Sequence, residues 1–267
     1  MHQDWRLIRS PALPGAMNMA FDEALLESVA AGRSGPVLRL YRWDPPAVSL
    51  GYGQSLQRVN LPACRELGLD VVRRLTGGRA VLHHREVTYA VIAPERTAFF
   101  PGGVLDNYRV IAGVLLQALQ TLGLTAEIVG RAGRSRLEGG IEGACFSAPA
   151  HFEIVCAGRK IAGSAQRRQG GAFLQHGSIL LDFDPLPLFR ALDVRGEISE
   201  AAGVRSLAEE VGWVNCWLDP PVTADQLEEQ LIAAFAQQPG VRFSAGEPTS
   251  QEIGRAEVLQ AKYARLL

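Results

Sequence analysis

The stretch that decides the fold is HFEIVCAGRKIAGSAQRRQGGAFLQHGSILLDF, residues 151–183. It contains three runs in which apolar residues alternate with small or polar ones, separated by Gly158 and by the turn at 169–171. Alternation with a period of two is typical of β-strands, and glycine turns between such runs are typical of hairpins. The segment therefore predicts successive antiparallel strands.

Upstream of this segment, helical and extended patterns follow one another without a regular rhythm. Residues 16–31 carry apolar residues at helical spacing and stop at Gly32, and residues 106–122 form a second apolar helix that stops at Gly123. The remaining upstream elements are predicted strands over 36–43, 46–53, 69–75 and 87–94, and a short helix over 60–68.

The rest of the chain completes the prediction. Residues 128–142 are rich in glycine and arginine and predict a loop, whereas the chain after 185 is mostly helical, with a capping box at Thr249 and Glu252. Strands mixed with helices, without a βαβ rhythm, predict an α+β fold: a mixed, largely antiparallel sheet flanked by helices. We expect residues 1–267 to form a single catalytic domain, with 222–267 as a helical C-terminal appendage.

Composition excludes several classes of function. The net charge is −1, with 47% hydrophobic and 21% charged residues, so no global field favours nucleic acid or an anionic membrane. No signal peptide and no membrane-spanning stretch is predicted. The four cysteines have neither C-x-x-C nor zinc-finger spacing. These features predict a cytoplasmic protein with free thiols that acts as a monomer without membrane or nucleic-acid partners.

Motifs for cofactors and metals are absent. The sequence has no phosphate-binding G-x-x-x-x-G-K-[ST] loop, no G-x-G-x-x-G and no G-x-S-x-G elbow. His84 and Glu86 form an H-x-E, but the P-C-x-x-C that completes a deaminase zinc site is missing. We therefore predict no metal site and no cofactor.

Small residues lie inside apolar strands at two places. Gly77 and Gly78 follow a strand, and 163–165 (Gly-Ser-Ala) interrupt another. Each group alone is compatible with a hairpin turn or a bulge, but glycine in a strand also marks the close approach of a ligand or backbone. Because His83 and His176 are nearby in the pattern, the two groups together favour a lined pocket.

Cys145 and Lys160 are the candidate catalytic pair. Cys145 lies in an irregular segment, where functional side chains concentrate, while the other cysteines suit small buried positions. Lys160 and Lys262 are the only lysines among 27 basic residues, and unlike arginine a lysine can exchange a proton near neutral pH. An ammonium beside a thiol favours the nucleophilic thiolate, and the amine could later accept a proton.

Three motifs resemble the lipoate–protein ligase and octanoyltransferase superfamily, which shares a catalytic domain with biotin–protein ligases. RRLTGGRAVLHH (73–84) resembles its R-R-x-[ST]-G-G-[GR]-[AT]-V-x-H signature, and GRKIAGSAQ (158–166) resembles its lysine motif. ACFSAPAHFEI (144–154) is similar to the C-F-x-x-P-x-x-[FY]-E context of the cysteine-dependent octanoyltransferases, with Ser147-Ala148 where Asp-Ser is expected.

The resemblance implies a function and a site. It implies transfer of an octanoyl group from octanoyl-acyl carrier protein to a lysine of a lipoyl domain, such as a glycine cleavage H protein, without ATP. It also implies a biotin/lipoate protein ligase-like fold with an apolar acyl tunnel, Cys145 as nucleophile and Lys160 as its acid/base partner. The implied substrate-binding residues are Arg73, Gly77, Gly78, His83, Gly163, Ser164, Ala165 and His176.

Three alternatives remain open from the sequence. The chain could be an ATP-dependent lipoate ligase, although it lacks the Asn-Asp that ligases usually carry before the lysine motif. It could be an amidotransferase that moves octanoyl or lipoyl groups between lipoyl domains through the same cysteine. It could also be a non-catalytic binder of lipoyl domains, which the intact Cys145 and Lys160 disfavour.

Overall fold

The computed structural model describes residues 3–130 and 152–264. Two sheets run through this part of the chain, and the larger has eight strands in the order β11-β1-β2-β6-β10-β9-β8-β7. The strands are β1 (Gln3–Leu13), β2 (Val37–Trp43), β3 (Ala47–Leu50), β4 (Asp70–Arg73), β5 (Val81–His83), β6 (Glu86–Pro94), β7 (Ala126–Val129), β8 (Glu153–Cys156), β9 (Arg159–Gln169), β10 (Ala172–Leu180) and β11 (Val241–Ala245).

Most neighbours in the large sheet are antiparallel, but β1 runs parallel to both β2 and β11. The smaller sheet has the order β4-β3-β5, with β3 parallel to β4 and antiparallel to β5. The helices are α1 (Gly15–Ala30), α2 (Leu61–Glu66), α3 (Val104–Thr121), α4 (Pro185–Leu192), α5 (Glu200–Glu210), α6 (Ala224–Ala236) and α7 (Ser250–Tyr263). The predicted α+β fold, a largely antiparallel sheet flanked by helices, is confirmed.

Both faces of the large sheet are covered by helices. Tyr89 and Val91 on β6 belong to an apolar cluster with α3 and α6, whereas Ala90 and Ile92 belong to another with α1 and α7. Successive side chains of a strand point to opposite faces, so a central strand between two helical layers must be apolar throughout. This explains why β6 reads EVTYAVIAP rather than as an alternating pattern. The smaller sheet packs against α2, α4 and α5 in a third cluster.

The predicted elements agree with the structure for α1, α3 and the hairpins of β8, β9 and β10, and the capping box of α7 is formed by Thr249 and Glu252. Several strands were not predicted: β1, β5, β7 and β11. Part of the predicted loop is strand, because β7 continues to Val129. The prediction for 46–53 was too long, since β3 ends at Leu50.

The segment after residue 222 is tied to the rest of the chain. Its strand β11 extends the large sheet beside β1, and α7 packs along α1. Lys262 donates to both carboxylate oxygens of Glu23 on α1 at 2.7 Å. The segment therefore contributes to the sheet itself instead of hanging from it as a purely helical appendage. No helix within 3–130 or 152–264 is long and apolar enough to cross a bilayer.

Candidate active site

A cavity lies where the smaller sheet meets β9 and β10 of the larger one. Most of the predicted substrate-binding residues meet here. The lining consists of Met19, Tyr41, Trp43, Ser49, Arg74, Gly78, Arg79, Val81, His83, Thr88, Lys160, Gly163, Ser164, Ala165, His176, Gly177 and Ser178.

Lys160 brings an amine to the wall of this cavity. Its side chain is 5% exposed, and Nζ donates a 2.5 Å hydrogen bond to Oε1 of Glu153 on β8, whose side chain is 8% exposed. The Lys160 backbone is also fixed, because its carbonyl oxygen accepts from the amide of Gly212 at 2.8 Å. By contrast, Lys262 is half-exposed on α7 and pairs with Glu23.

Cys145 lies outside the described residues, as do His151 and all of the predicted 128–142 loop beyond residue 130. Of the three other cysteines, Cys64 and Cys156 are buried, as predicted, whereas Cys216 is only half-buried. Burial raises the pKa of Cys64 to about 11, and burial also raises the pKa of Cys156, which packs in the core. High thiol pKa values make these two poor nucleophiles at neutral pH. Their predicted structural roles agree with this placement.

His83 is held on all sides. Its ring stacks on Trp43 with centroids 4.0 Å apart, Nε2 lies 2.7 Å from Oγ of Ser49, and Nδ1 lies 2.8 Å from Oε1 of Glu86. A carboxylate oxygen can only accept, so Nδ1 carries the proton, and in the neutral ring Nε2 accepts from the Ser49 hydroxyl. With both nitrogens engaged, His83 presents a ring rather than an acid or base to the cavity.

His176 is held in a similar way on β10. Its Nδ1 donates to Oδ2 of Asp22 at 2.8 Å, and Nε2 lies 2.7 Å from the hydroxyl of Thr76, the residue before the Gly77-Gly78 turn. Burial lowers the pKa of His176 and outweighs the opposing effect of Asp22. A neutral His176 therefore links helix α1 to the glycine turn at the cavity mouth.

Asp22 is the buried anion behind this arrangement. It accepts from Nη1 of Arg39 at 2.8 Å and from the Tyr41 hydroxyl at 2.9 Å, as well as from His176. Burial alone would raise the pKa of Asp22, but the hydrogen bond from His176 and the charge of Arg39 together hold it below its ordinary value. The sequence did carry a signal, because Asp22 precedes Leu25 by three residues on the apolar face of α1.

Arg74 and Arg79 line the cavity, and the predicted Arg73 does not. Neighbours on a strand point to opposite faces. Arg73 donates to the carbonyl oxygens of Gly51 and Tyr52 at 3.0 and 3.2 Å and is not among the lining residues. Arg74 is buried and donates to the carbonyl and hydroxyl oxygens of Ser49 at 2.8 and 2.9 Å. The prediction that named Arg73 therefore chose the wrong member of the pair.

The glycine turn packs tightly against the end of β3. A Cβ on Gly51 would lie 2.0 Å from the carbonyl oxygen of Gly78, so the two backbones could not approach as they do with a larger residue. Gly78 has a φ of +95° and lines the cavity. The predicted Gly77 is not among the lining residues, and its carbonyl oxygen accepts from Nη2 of Arg74 at 3.0 Å.

The other small-residue group, 163–165, lines the cavity along β9 as predicted from its motif position. The Ser164 hydroxyl lies 2.7 Å from the Tyr89 hydroxyl. The Ser164 carbonyl oxygen accepts a hydrogen bond from the Tyr108 hydroxyl at 2.5 Å. Across the ladder, a Cβ on Gly177 would lie 2.4 Å from the Gly163 carbonyl oxygen. Within the described ranges, no group of three or more His, Cys, Asp or Glu residues is placed to hold a metal.

Comparison with known proteins identifies the family. The model of the lipoyl protein ligase A/B catalytic domain matches residues 14–236. The chain belongs to that family. The match includes every residue that the cavity places together, from Met19 to Ser178. The resemblance predicted from the three motifs is therefore confirmed.

Relatives within the lipoyl protein ligase A/B family match nearly the full length. A protein named octanoyltransferase LipM from Kyrpidia tusciae is 43% identical over 98% of this chain and 96% of its own length. One of the same name from Staphylococcus aureus is 38% identical over 98% and 97%. Among solved structures, a bipartite lipoate protein ligase studied with its E2 lipoyl domain, from Thermoplasma acidophilum, has a TM-score of 0.79 and 25% identity over 98% of this chain and 93% of that one.

Proposed function

We propose that this chain is an octanoyltransferase that carries an octanoyl group on Cys145 and passes it to a lysine of a lipoyl domain. Two lines support the proposal. Full-length relatives at 35–43% identity bear the name octanoyltransferase LipM. The observation in the molecule that carries it is Lys160, a buried amine at the wall of a largely apolar cavity, since such an amine can serve a thiol as acid and base.

The donor in this proposal is octanoyl-acyl carrier protein. The Cys145 thiolate attacks the thioester carbonyl carbon of the donor, a new carbon–sulfur bond forms, and the carbon–sulfur bond to the carrier breaks. The departing carrier thiolate takes a proton from the Lys160 ammonium. Exchange of one thioester for another is nearly isoenergetic, so this half of the reaction requires no nucleotide.

In the second half, the amine of the acceptor lysine attacks the acyl-enzyme. Lys160, now neutral, takes the proton that the attacking nitrogen loses, and the Cys145 thiolate leaves as the amide forms. Thioester to amide is downhill, so again no ATP is consumed. A lipoyl domain is proposed as acceptor because the relatives are named for octanoyl transfer and the structural neighbour is a ligase studied with such a domain.

We propose further that the chain acts as a monomer in the cytoplasm. Arg74 and Arg79, which line the cavity, give it a positive character that suits the anionic pantetheine phosphate of a carrier. The two histidines of the cavity have their ring nitrogens engaged by Ser49, Glu86, Thr76 and Asp22, which leaves proton transfer to Lys160.

The test is intact-protein mass after incubation with octanoyl-acyl carrier protein and no nucleotide, for wild type and Cys145→Ser. A gain of one octanoyl group on wild type alone, followed by its loss when a lipoyl domain is added, supports the proposal. Acylation of the lipoyl domain only when ATP and free octanoic or lipoic acid are supplied would mean that the chain is a ligase and the proposal is wrong.

A further inference from the structure

The carboxylate that holds Lys160 has no role in the reaction as proposed so far. Glu153 lies on β8, beside the strand that carries Lys160, and the two side chains form a 2.5 Å hydrogen bond in which both partners are more than nine-tenths buried. We infer that Glu153 is a positioning residue that keeps Lys160 in its charged form until the acyl group arrives. This inference rests on the proposed function.

A buried amine needs such a partner. An isolated ammonium in an apolar surrounding is strongly disfavoured, and breaking a buried pair by removing one member leaves an uncompensated charge. The described residues that line the cavity include Arg74, Arg79 and two histidines but no carboxylate. Glu153, behind the lining, is thus the anion placed to stabilise the Lys160 ammonium.

The backbone on either side of Glu153 is irregular at two places. Phe152 has a φ of +58°, in the left-handed region that bulky residues rarely adopt, and the ladder between β8 and β9 shifts register between Ile154 and Val155. Residues held in sparsely populated conformations persist where the surrounding structure fixes them, and they cluster at functional sites. Both irregularities lie within two residues of Glu153.

Other ionisable groups lie on the elements next to Lys160 or line the same cavity. Val211 forms a bridge with the Lys160 backbone, which brings the end of α5 to this strand. Arg159, the preceding residue, lies over the rings of Trp213 and Trp217. Glu153 on β8 is in contact with Lys160, Arg159 precedes it on β9, and Glu210 is the last residue of α5. The ionisable groups that line the same cavity are His176, His83, Arg74 and Arg79.

The contact has a chemical consequence. Before loading, the Cys145–Lys160 pair holds one proton that can sit on sulfur or on nitrogen. Because Glu153 stabilises the ammonium, it favours thiolate with ammonium over thiol with amine, and the thiolate is the nucleophile. The Glu153 carboxylate itself exchanges no proton. Without it, the proton returns to sulfur and the thiolate forms only at higher pH.

The experiment measures the reactivity of Cys145 in the full chain against pH. Wild type, Glu153→Gln and Glu153→Asp are treated with iodoacetamide from pH 5 to pH 10, and alkylation of Cys145 is located by tandem mass spectrometry. In Glu153→Gln we expect the rise in alkylation rate to move to higher pH by about one to three units, the effect of losing an opposite charge at this range. Glu153→Asp keeps the charge, so its alkylation profile should lie close to that of wild type.

Glu95→Gln is the matched control. Glu95 pairs with Arg168 on the same strand β9 at 3.0 Å, but neither residue lines the cavity. This variant should alkylate like wild type. Circular dichroism melting of each variant shows whether it is folded. If Glu153→Gln does not fold, the comparison of Glu153→Asp with wild type decides. A slower alkylation of Cys145 whose rise occurs at the same pH as in wild type then supports the positioning role.

The outcomes separate the two ideas. If wild type accepts octanoyl from the carrier but folded Glu153→Gln alkylates and transfers like wild type at every pH, the inference about Glu153 is wrong and the proposed function stands. The inference is also overturned if the alkylation profile of Glu153→Asp moves to higher pH as far as that of Glu153→Gln. Where Glu153→Gln does not fold, any displacement of the Glu153→Asp profile from that of wild type overturns it. If wild type accepts no octanoyl group, the proposed function fails, whatever the alkylation profiles show.

Discussion

Replacing Asp22 by asparagine should strongly destabilise the protein, because it removes the anion from a buried pair. Arg39 is fully buried and its Nη1 donates to Oδ1 of Asp22 at 2.8 Å, while Oδ2 accepts from both Tyr41 and His176. Whichever way the new amide turns, its NH₂ group faces a donor that has lost its acceptor. The charge of Arg39 also remains buried without its counterion.

The magnitude follows from these contacts. Breaking a buried pair on one side costs about 3–5 kcal/mol. Arg39 retains hydrogen bonds to Ser10 at 2.9 Å and to the side-chain oxygen of Asn18 at 2.7 Å. We therefore expect a loss near the lower end of that range, about 3 kcal/mol in the free energy of unfolding. For a chain of this size the corresponding decrease in Tm is about 6–12 °C.

Urea denaturation with linear extrapolation measures the loss. The control is Glu229→Gln, which removes a carboxylate from an exposed pair with Arg9 and should change stability by no more than about 0.5 kcal/mol. In the double variant Asp22→Asn with Arg39→Met, the cost should fall short of the sum of the single costs by at least about 1 kcal/mol. A loss below about 1 kcal/mol for Asp22→Asn, or strict additivity in the double variant, would refute the reasoning.

The same pair gives a pH dependence with a defined sign. The pKa of Asp22 in the folded protein lies below its ordinary value of 3.8. A carboxyl with a lowered folded pKa stabilises the protein fully above its unfolded pKa, and the stabilisation disappears as pH falls through the folded pKa. The contribution of the Asp22 carboxylate to the stability difference between wild type and Asp22→Asn should thus shrink below about pH 4.

Three further changes test the site and the fold. Lys160→Arg keeps the charge but loses a titratable amine, so octanoyl transfer to a lipoyl domain, followed by mass spectrometry, should stop in a chain that still melts cooperatively; normal transfer would contradict the acid/base role. Gly177→Ala forces a Cβ to 2.4 Å from the Gly163 carbonyl oxygen and should lower the free energy of unfolding, measured in urea, by about 1–3 kcal/mol. Gly113→Ala, on the exposed face of α3, should raise the free energy of unfolding by up to about 1 kcal/mol. Thr249→Ala removes the N-cap of α7 and should lower stability by about 1 kcal/mol, with Thr249→Ser close to wild type in the same assay.

The sequence predicted those parts of the fold that local patterns determine. Helices α1 and α3 end where glycines follow them, and the β9–β10 hairpin turns at Gly170-Gly171. The missed strands depend on distant partners. β11 pairs with β1 across more than 200 residues, and β5 has only three residues, too few to show a period. No local signal can report a pairing whose partner is at the other end of the chain.

For the site, the motifs located the cavity but not the atoms behind it. The small residues at 77–78 and 163–165 and Lys160 could be chosen because their types are unusual for strands. The choice between Arg73 and Arg74 could not, because it depends on the phase of β4, and a shift of one residue exchanges the two faces. Asp22 was overlooked because helical periodicity was taken as apolar packing alone, although a carboxylate within an apolar stripe requires a buried partner.

In the proposed mechanism, the arrangement of charges leaves proton transfer to a single titratable amine. Around the cavity, each histidine is bound at both nitrogens and anchored to a carboxylate, Asp22 for His176 and Glu86 for His83. These contacts fix the rings and fill their proton sites, so the histidines serve as walls. Arginine cannot exchange protons near neutral pH. Only two of the 27 basic residues are lysines, and Lys160 is the one that combines a cavity position, a buried carboxylate partner and a titratable nitrogen.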